Sequence, residues 1–222
     1  MKIVAIATLV AGAATASGLS GPALVAAPAA DTVYVAELTP LNVKASGLTA
    51  GGTMRFTVHG DALAIAITVT GVPPTIEHWQ HVHGFADGRQ AACPQPSADV
   101  NGDGYIDILE TEPVMGVTMV PFNDDPVAMN IPTHTYPHAS AAGAFGYQKT
   151  VSLPALQAAF GKTFGGRLDL ERRVVQVHGV VDRPALPGSV ASLGPIPSQV
   201  TIPLACGAIR RLPSTTTPAA AR

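Results

Sequence analysis

Strict alternation of apolar and polar residues is the clearest pattern in the chain, and it predicts a β-hairpin. Residues 54–59 (MRFTVH) and 63–70 (LAIAITVT) both repeat with a period of two, and Gly60-Asp61 supplies the turn between them. Further segments have a strand-like composition rich in Val, Thr and Ile. They are 32–38, 116–120, 172–178, 200–206 and a segment containing His78, His81 and His83.

The remaining segments are less regular. Residues 86–146 are rich in Gly, Pro, Asp and Asn, which indicates a long functional loop region interrupted only by the strand-like residues 116–120. Residues 151–160 have mixed strand and helix character, and the pattern does not decide between the two. The tail 212–222, with its Thr run, Pro and Ala, is expected to be disordered.

Composition supports an all-β protein and excludes one class of partner. The 222 residues include 22 Gly and 20 Pro, with only 13% charged residues, which favours short strands joined by turns within one domain at 31–211. The 13 Lys and Arg do not exceed the 15 Asp and Glu, and aromatic residues are only 5% of the chain. Neither phosphate neutralisation nor base stacking is supported, so we do not expect nucleic acid as a partner.

The N-terminus predicts export. One lysine, Lys2, precedes a short apolar run, and small residues then offer cleavage at Ala14-Thr15-Ala16 or Ala27-Pro28-Ala29. Residues 1–30 are therefore predicted to be a signal peptide. A membrane anchor is the alternative, although the apolar run is shorter than the roughly 20 residues of a membrane span, and no later segment is long enough either. The expected location is secreted or periplasmic.

Export changes the expected state of the two cysteines. An oxidising compartment favours pairing, so Cys93 and Cys206 are predicted to form a disulfide. Two buried free thiols are the alternative.

Residues 99–110 (DVNGDGYIDILE) match the twelve-residue calcium-loop pattern D-x-[DN]-x-[DN]-G-x5-E at every position. Calcium needs six to eight oxygen ligands, so such a loop must wrap around the ion and turn sharply, here at Gly104. Ile106 is expected to point inward as an apolar anchor. The expected ligands are the side chains of Asp99, Asn101 and Asp103, the Tyr105 carbonyl, Asp107 directly or through water, and a bidentate Glu110.

No pair of helices is expected around this loop. The preceding residues 93–96 (CPQP) cannot form an entering helix, so the pattern indicates a structural calcium loop on a β scaffold. An acidic loop that is merely solvated is the alternative.

A second candidate metal site is the H-x-H pair. His81 and His83 are two residues apart, which on a strand places both imidazoles on one face. Imidazole is a ligand for copper and zinc, although strand histidines also occur as ordinary surface residues.

The surroundings of this pair resemble a known family. The segment 71–88, containing HWQHVHGFADG, resembles the copper-ligand segment of Cu/Zn superoxide dismutases and the related pattern of CHRD (chordin-type) domains. In the same order as in the dismutases, Cys93 follows the pair, residues 173–178 (RVVQVH) look like the strand of the last copper histidine, and 204–209 (LACGAI) look like the C-terminal L-A-C-G-V-I. The resemblance covers about residues 33–211.

The resemblance implies a fold and a copper site. It implies a Greek-key β-sandwich or barrel in which His81, His83 and His178 bind copper and His78 steadies the site without binding the ion. His134 or His138 is a candidate fourth ligand from the long loop, with ordinary loop histidines as the alternative. Copper as the metal comes from the resemblance and not from the spacing.

Two departures from the family limit what the resemblance implies. Residues 94–110 contain no histidine where the dismutases hold zinc, so zinc is not expected there. Pro203 replaces the arginine that attracts the superoxide anion in the dismutases. Three hypotheses therefore stay open: copper redox chemistry on a small anionic substrate such as superoxide, a non-catalytic CHRD-like module that binds metal or a partner, and a structural domain without copper.

Overall fold

The computed structural model describes residues 30–180 and 186–213. The predicted signal peptide, apart from residue 30, lies outside the described residues, as does the predicted tail from residue 214 onward. No helix within the described ranges is long and apolar enough to cross a membrane.

The described part of the chain is mostly β-structure with short helices, which confirms the all-β prediction. The helices are α1 Val43–Ser46, α2 Ile108–Met115, α3 Leu153–Phe164 and α4 Ser198–Thr201. The strands are β1 Thr32–Pro40, β2 Gly51–His59, β3 Ala62–Thr70, β4 Gln80–Gly84, β5 Val117–Pro121, β6 Ala144–Ser152, β7 Val174–His178, β8 Pro203–Ala208 and β9 Arg210–Arg211.

All nine strands join one antiparallel sheet in the order β5-β4-β7-β8-β1-β2-β3-β6, and β9 pairs with β1. Strand β1 connects the two halves of this sheet: its first residues pair with β2 and β9, whereas Thr39 and Pro40 pair with β8. The sheet curls into a half-barrel, so Phe56 of β2 contacts Phe122, which follows β5. The apolar core lies inside this curve and includes residues of both halves, among them Met54, Phe160 and Val177.

The predicted hairpin is confirmed. Strands β2 and β3 pair along their whole length, from Gly51 opposite Thr70 to His59 opposite Ala62. Gly60 adopts a φ of 55° in the turn, a conformation that glycine tolerates without steric cost. In β3 the residues at alternate positions are buried and exposed, as its sequence pattern requires.

Three local predictions need correction. His78 precedes β4 and is not part of the strand, because pairing with β7 begins only at Gln80. Residues 200–206 are not a continuous strand, since α4 extends to Thr201 before β8 begins. The region 86–146 is also less irregular than expected, because it contains α2 and the start of β6.

The undecided segment 151–160 contains the end of a strand and the start of a helix. Strand β6 is a polar edge strand that pairs with β3 along its full length and ends at Ser152. The Ser152 side chain accepts a hydrogen bond from the Ala155 amide and caps α3, whose second residue is Pro154. Both features favour a helix start, which explains the mixed character of this segment.

Cys93 and Cys206 form a disulfide, as predicted. Cys206 lies fully buried in β8, opposite Thr39 of β1 and Gln176 of β7. The disulfide therefore links the loop after β4, the strand that carries the H-x-H pair, to β8, which lies beside β7.

Removing this bond is predicted to destabilise the protein strongly. The disulfide closes a loop across 113 residues of sequence, and the chain-entropy model assigns a loop of this size a stabilisation of more than 4 kcal/mol. We expect Cys93→Ala with Cys206→Ala to lower the free energy of unfolding by about 2–5 kcal/mol in urea denaturation, and reduction of the unmodified protein to have a similar effect. A loss of less than about 1 kcal/mol would contradict this prediction.

Candidate functional site: a buried histidine triad beside an acidic loop

Pairing of β4 with β7 brings the H-x-H pair beside the late histidine. His81 lies opposite Gln176, and His83 lies opposite Val174. The His178 amide also donates to the Trp79 carbonyl at 2.8 Å, a single backbone hydrogen bond just before the first residue of β4. Because side chains alternate along a strand, His81 and His83 lie on one face of the sheet. The side chain of His178, the last residue of the neighbouring strand β7, lies on the same face.

The three imidazoles form a compact, buried group. One ligand atom from each of His81, His83 and His178 lies within 4.8 Å of the other two. The ring centroids are 5.2 Å apart for His81 and His178 and 5.6 Å apart for His83 and His178. All three side chains are no more than 3% exposed. Within residues 30–180 and 186–213 this is the only group of His, Cys, Asp or Glu side chains that meets in this way.

Hydrogen bonds determine which nitrogen of His81 is free. The Tyr136 hydroxyl donates to the Ile131 carbonyl at 2.9 Å, so its oxygen accepts from His81 Nε2 at 2.9 Å. His81 therefore carries its proton on Nε2, and its Nδ1 is left without a hydrogen-bond partner among the described residues. A buried nitrogen with a free lone pair is the form of imidazole that binds a metal ion.

His178 is oriented in the opposite way. Its Nδ1 donates to the Thr201 carbonyl at 2.8 Å, which leaves Nε2 buried and unpaired. Both ring nitrogens of His83 are buried without a hydrogen bond of normal geometry, although the nearby Gly116 backbone partly offsets the lowering of the His83 pKa. A buried polar atom without a partner is costly, and each of the three rings presents at least one such atom.

Burial keeps the triad neutral. Desolvation is the main cause that lowers the pKa of all three histidines, and it lowers the pKa of His178 to about 4. Repulsion from His178 lowers the pKa values of His81 and His83 further. Each ring is therefore neutral at neutral pH and keeps one nitrogen without a proton, as a metal ligand must.

His78 lies behind the triad and contacts the backbone that carries it. Its Nδ1 is 3.0 Å from the His178 carbonyl, its Nε2 is 2.9 Å from the Pro73 carbonyl, and its ring stacks on Phe145. Burial lowers its pKa. This position agrees with a role in steadying His178 and excludes His78 from the group of converging rings.

The two candidate fourth ligands do not join the triad. His134 is almost fully exposed, and its Nδ1 lies 3.5 Å from Glu77 Oε2. His138 is also exposed and forms an isolated backbone bridge with Glu77. The residue of this loop that reaches the triad is Tyr136, which lies between them in the sequence.

The acidic loop adopts a tight turn in which its side chains cap its own backbone. The Asp103 amide donates to Asp99 Oδ1 at 3.1 Å and to Asn101 Oδ1 at 2.8 Å. The Gly104 amide donates to Asp99 Oδ2 at 2.8 Å, and the Tyr105 amide donates to Asp103 Oδ1 at 2.8 Å. Gly104 has a φ of 84°, which is the sharp turn that the pattern predicts.

The second half of the loop begins α2. Asp107 caps this helix by accepting from the Leu109 and Glu110 amides, while Glu110 Oε2 accepts from the Asp107 amide at 3.0 Å. Glu110 Oε1 also accepts from the Val100 and Asn101 amides, so this carboxylate closes the loop. As expected, no entering helix precedes the loop among the described residues, only a single 3₁₀ turn; the helix that follows the loop was not predicted.

Side chains from elsewhere anchor the acidic loop. Ile106 is buried, and the Asn42 amide group bonds to both the N–H and the carbonyl of Ile106 at 2.8 Å. Asp103 Oδ2 accepts from the Ser189 hydroxyl, a bond that is the main cause of the lowered Asp103 pKa. Asp107 Oδ2 accepts from the Ala191 amide at 2.7 Å.

No family model matches the chain, and a search of curated proteins returns no match. The resemblance to the dismutases and CHRD domains therefore stays a hypothesis that rests on the motifs themselves.

Several residues at the site were not singled out from the sequence. Tyr136 and Thr201 determine the orientation of the histidine rings, and Asn42 anchors the acidic loop. Gln176 lies opposite His81 with its side chain buried and both side-chain polar atoms unpaired among the described residues. The only sequence signal for these residues was a polar type inside or beside an apolar strand, which is a weak signal.

Replacing Tyr136 by Phe is predicted to weaken metal binding. The substitution removes the acceptor for His81 Nε2–H, so the ring loses the hydrogen bond that keeps its proton on Nε2 and leaves Nδ1 free. We expect about a 10- to 100-fold loss of metal affinity, measured by competition with a chromophoric chelator.

Tyr147→Phe is the matched control for this experiment. Tyr147 is a partly buried tyrosine whose hydroxyl donates to the Asn123 carbonyl and not to a triad histidine. We expect this variant to bind metal as the unmodified protein does. Equal loss of affinity in both variants would show that Tyr136 acts only through stability.

Proposed function

We propose that this protein is an exported copper-binding protein in which His81, His83 and His178 hold the ion. The observation that carries the proposal is a set of three buried, neutral imidazoles: one ring nitrogen of each lies within 4.8 Å of the other two, and each ring has a buried nitrogen without a partner among the described residues. Three neutral imidazoles form a donor set that binds copper or zinc and leaves a coordination position for another molecule. The donor set thus fits the metal that the resemblance implies.

The choice of copper rests on the dismutase-like motifs. In that family the two histidines of an H-x-H pair and a late histidine hold copper, and His81, His83 and His178 match them in order. The disulfide agrees with export to an oxidising compartment, as does the predicted signal peptide.

Bound copper would supply one-electron redox chemistry at this site. The residues of the chain orient the ligand nitrogens through Tyr136 and Thr201 and shield the triad from solvent through burial. Copper redox chemistry on superoxide is the activity that the resemblance suggests.

A non-catalytic, CHRD-like module that binds copper without turnover is the second candidate. One observation favours it: Pro203 stands where the dismutases place their anion-guiding arginine, and it lies in β8 opposite His178. No arginine therefore stands at the position that attracts superoxide in that family.

We also propose that the acidic loop binds calcium through Asp99, Asn101, Asp103, Tyr105, Asp107 and Glu110. Its support is the match of sequence and conformation: the turn at Gly104, the carboxylates directed toward the loop backbone, and the helix that starts at Asp107 and Glu110. Calcium there would stabilise the turn and, through Ser189 and Ala191, the segment that packs beside the triad.

Copper analysis tests the main proposal. We expect about one copper ion per chain after loading and removal of excess metal, measured by mass spectrometry of the element and by electron paramagnetic resonance. His81→Ala with His83→Ala should abolish copper binding and leave calcium binding intact. His59→Ala is the control, because His59 is exposed and its ring contacts Asp31 and no triad histidine.

The same preparation separates the functional candidates. Fast dismutation in a xanthine oxidase–cytochrome c assay supports redox catalysis, and copper without turnover supports the binding module. An unmodified protein that binds no copper would contradict both. Loss of affinity in His134→Ala or His138→Ala would assign that residue as a further ligand.

Calcium binding is predicted to stabilise the fold and to depend on Glu110. At a free calcium concentration about 100 times the Kd, ligand linkage predicts about 2.7 kcal/mol of added stability, which thermal denaturation with calcium or with EDTA would measure. Glu110→Gln should weaken binding about tenfold or more, since carboxylate charge tunes calcium affinity. Glu112→Gln is the control: Glu112 is exposed on the same helix, and its substitution should leave calcium affinity unchanged. Identical melting in calcium and EDTA would show that the loop is not a calcium site.

A further inference from the structure

A cavity of about 230 Å³ lies against the histidine triad. His81 and His178 line it, whereas His83 does not. The other lining residues come from four separate parts of the chain. They are Trp79, Ile108, Thr118, Ile131, Pro132, Leu193, Ile196 and Thr201.

The described residues that line this cavity include no charged side chain. Trp79 and Ile108 are buried in its wall, whereas Leu193 is 42% exposed and Pro132 is also exposed, so the cavity opens to solvent between apolar residues. An anion entering here would lose hydration without meeting a cationic side chain, which is costly. An uncharged apolar molecule would gain from leaving water.

The cavity is larger than a metal ion requires. A water molecule has a share of about 30 Å³ in the liquid, so an ion with one water would leave most of the 230 Å³ free. Apolar cavities of about 150 Å³ bind benzene or xenon in other proteins.

We propose that this cavity, defined by the ten residues above, binds a small uncharged apolar molecule no larger than about benzene. This inference deepens the proposed function: if copper occupies the triad, the bound molecule lies beside the metal on the side of His81 and His178. The cavity itself is formed by the protein alone, so its ligand class can be tested without metal.

The experiment uses metal-free protein and benzene as the probe, with azide as the anionic comparison. Methyl NMR reports binding at Ile108, Ile131 and Ile196, which line the cavity, and Ile65 and Ile67 in the core are internal references. We expect saturable shifts of the three cavity methyl groups with benzene and none with azide. Absence of benzene shifts, or stronger binding of azide, would overturn the proposal.

Leu193→Trp and Leu48→Trp are the matched variants. Both leucines lie in bends and are similarly exposed, at 42% and 38%, but only Leu193 lines the cavity. A tryptophan at 193 should obstruct the opening and weaken benzene binding about tenfold or more, and the change at 48 should have no effect. Equal effects of the two changes would overturn the assignment of the cavity. If Leu193→Trp does not fold, as judged by thermal denaturation, the methyl shifts of the unmodified protein decide alone.

The copper stoichiometry of the same protein, measured after copper is added to it, distinguishes the cavity proposal from the copper proposal. Benzene binding without copper binding would leave the cavity assignment and remove the proposed function. Copper binding without benzene shifts would remove the cavity assignment and leave the proposed copper site.

Discussion

The pairing of β4 with β7 is the interaction on which the candidate site depends. These two short strands are far apart in sequence, and every residue of both is buried. Their backbone hydrogen bonds set the register that places His81 opposite Gln176 and brings His178 to the same face. A shift of one residue would turn one strand's histidines to the other face of the sheet, so the register alone decides whether three imidazoles can meet.

Burial and hydrogen bonding then convert three nearby rings into a ligand set. Desolvation lowers the pKa values and keeps the rings neutral, and contacts from Tyr136 and Thr201 direct the free nitrogens of two of them. Both contacts come from outside the sheet, from the loop before β6 and from α4. The loops of this protein therefore determine the chemistry of a site whose position the strands determine.

One segment of the chain contacts the acidic loop and also lines the cavity beside the triad. Asp103 and Asp107 hold Ser189 and Ala191, and the same segment continues to Leu193 and Ile196 in the cavity wall. Ile108, the residue after Asp107, lines the cavity from the other side. An ion in the acidic loop would thus help to order the walls of the cavity.

The sequence by itself determined the all-β class, the β2–β3 hairpin, the disulfide partners and the His81–His83 pair, because these follow from local periodicity, from a pair of cysteines and from motif spacing. His178 was added only by the resemblance to the dismutases. It did not show that β6 is a strand, that α2 follows the acidic loop, or that Tyr136 and not His134 or His138 meets the triad. Those features depend on contacts between distant segments: β6 pairs with β3, and Tyr136 reaches His81 only because a loop folds over Trp79. Tertiary structure alone decided which side chains orient the rings and what lines the space beside them, since the packing of segments remote in sequence leaves no local pattern.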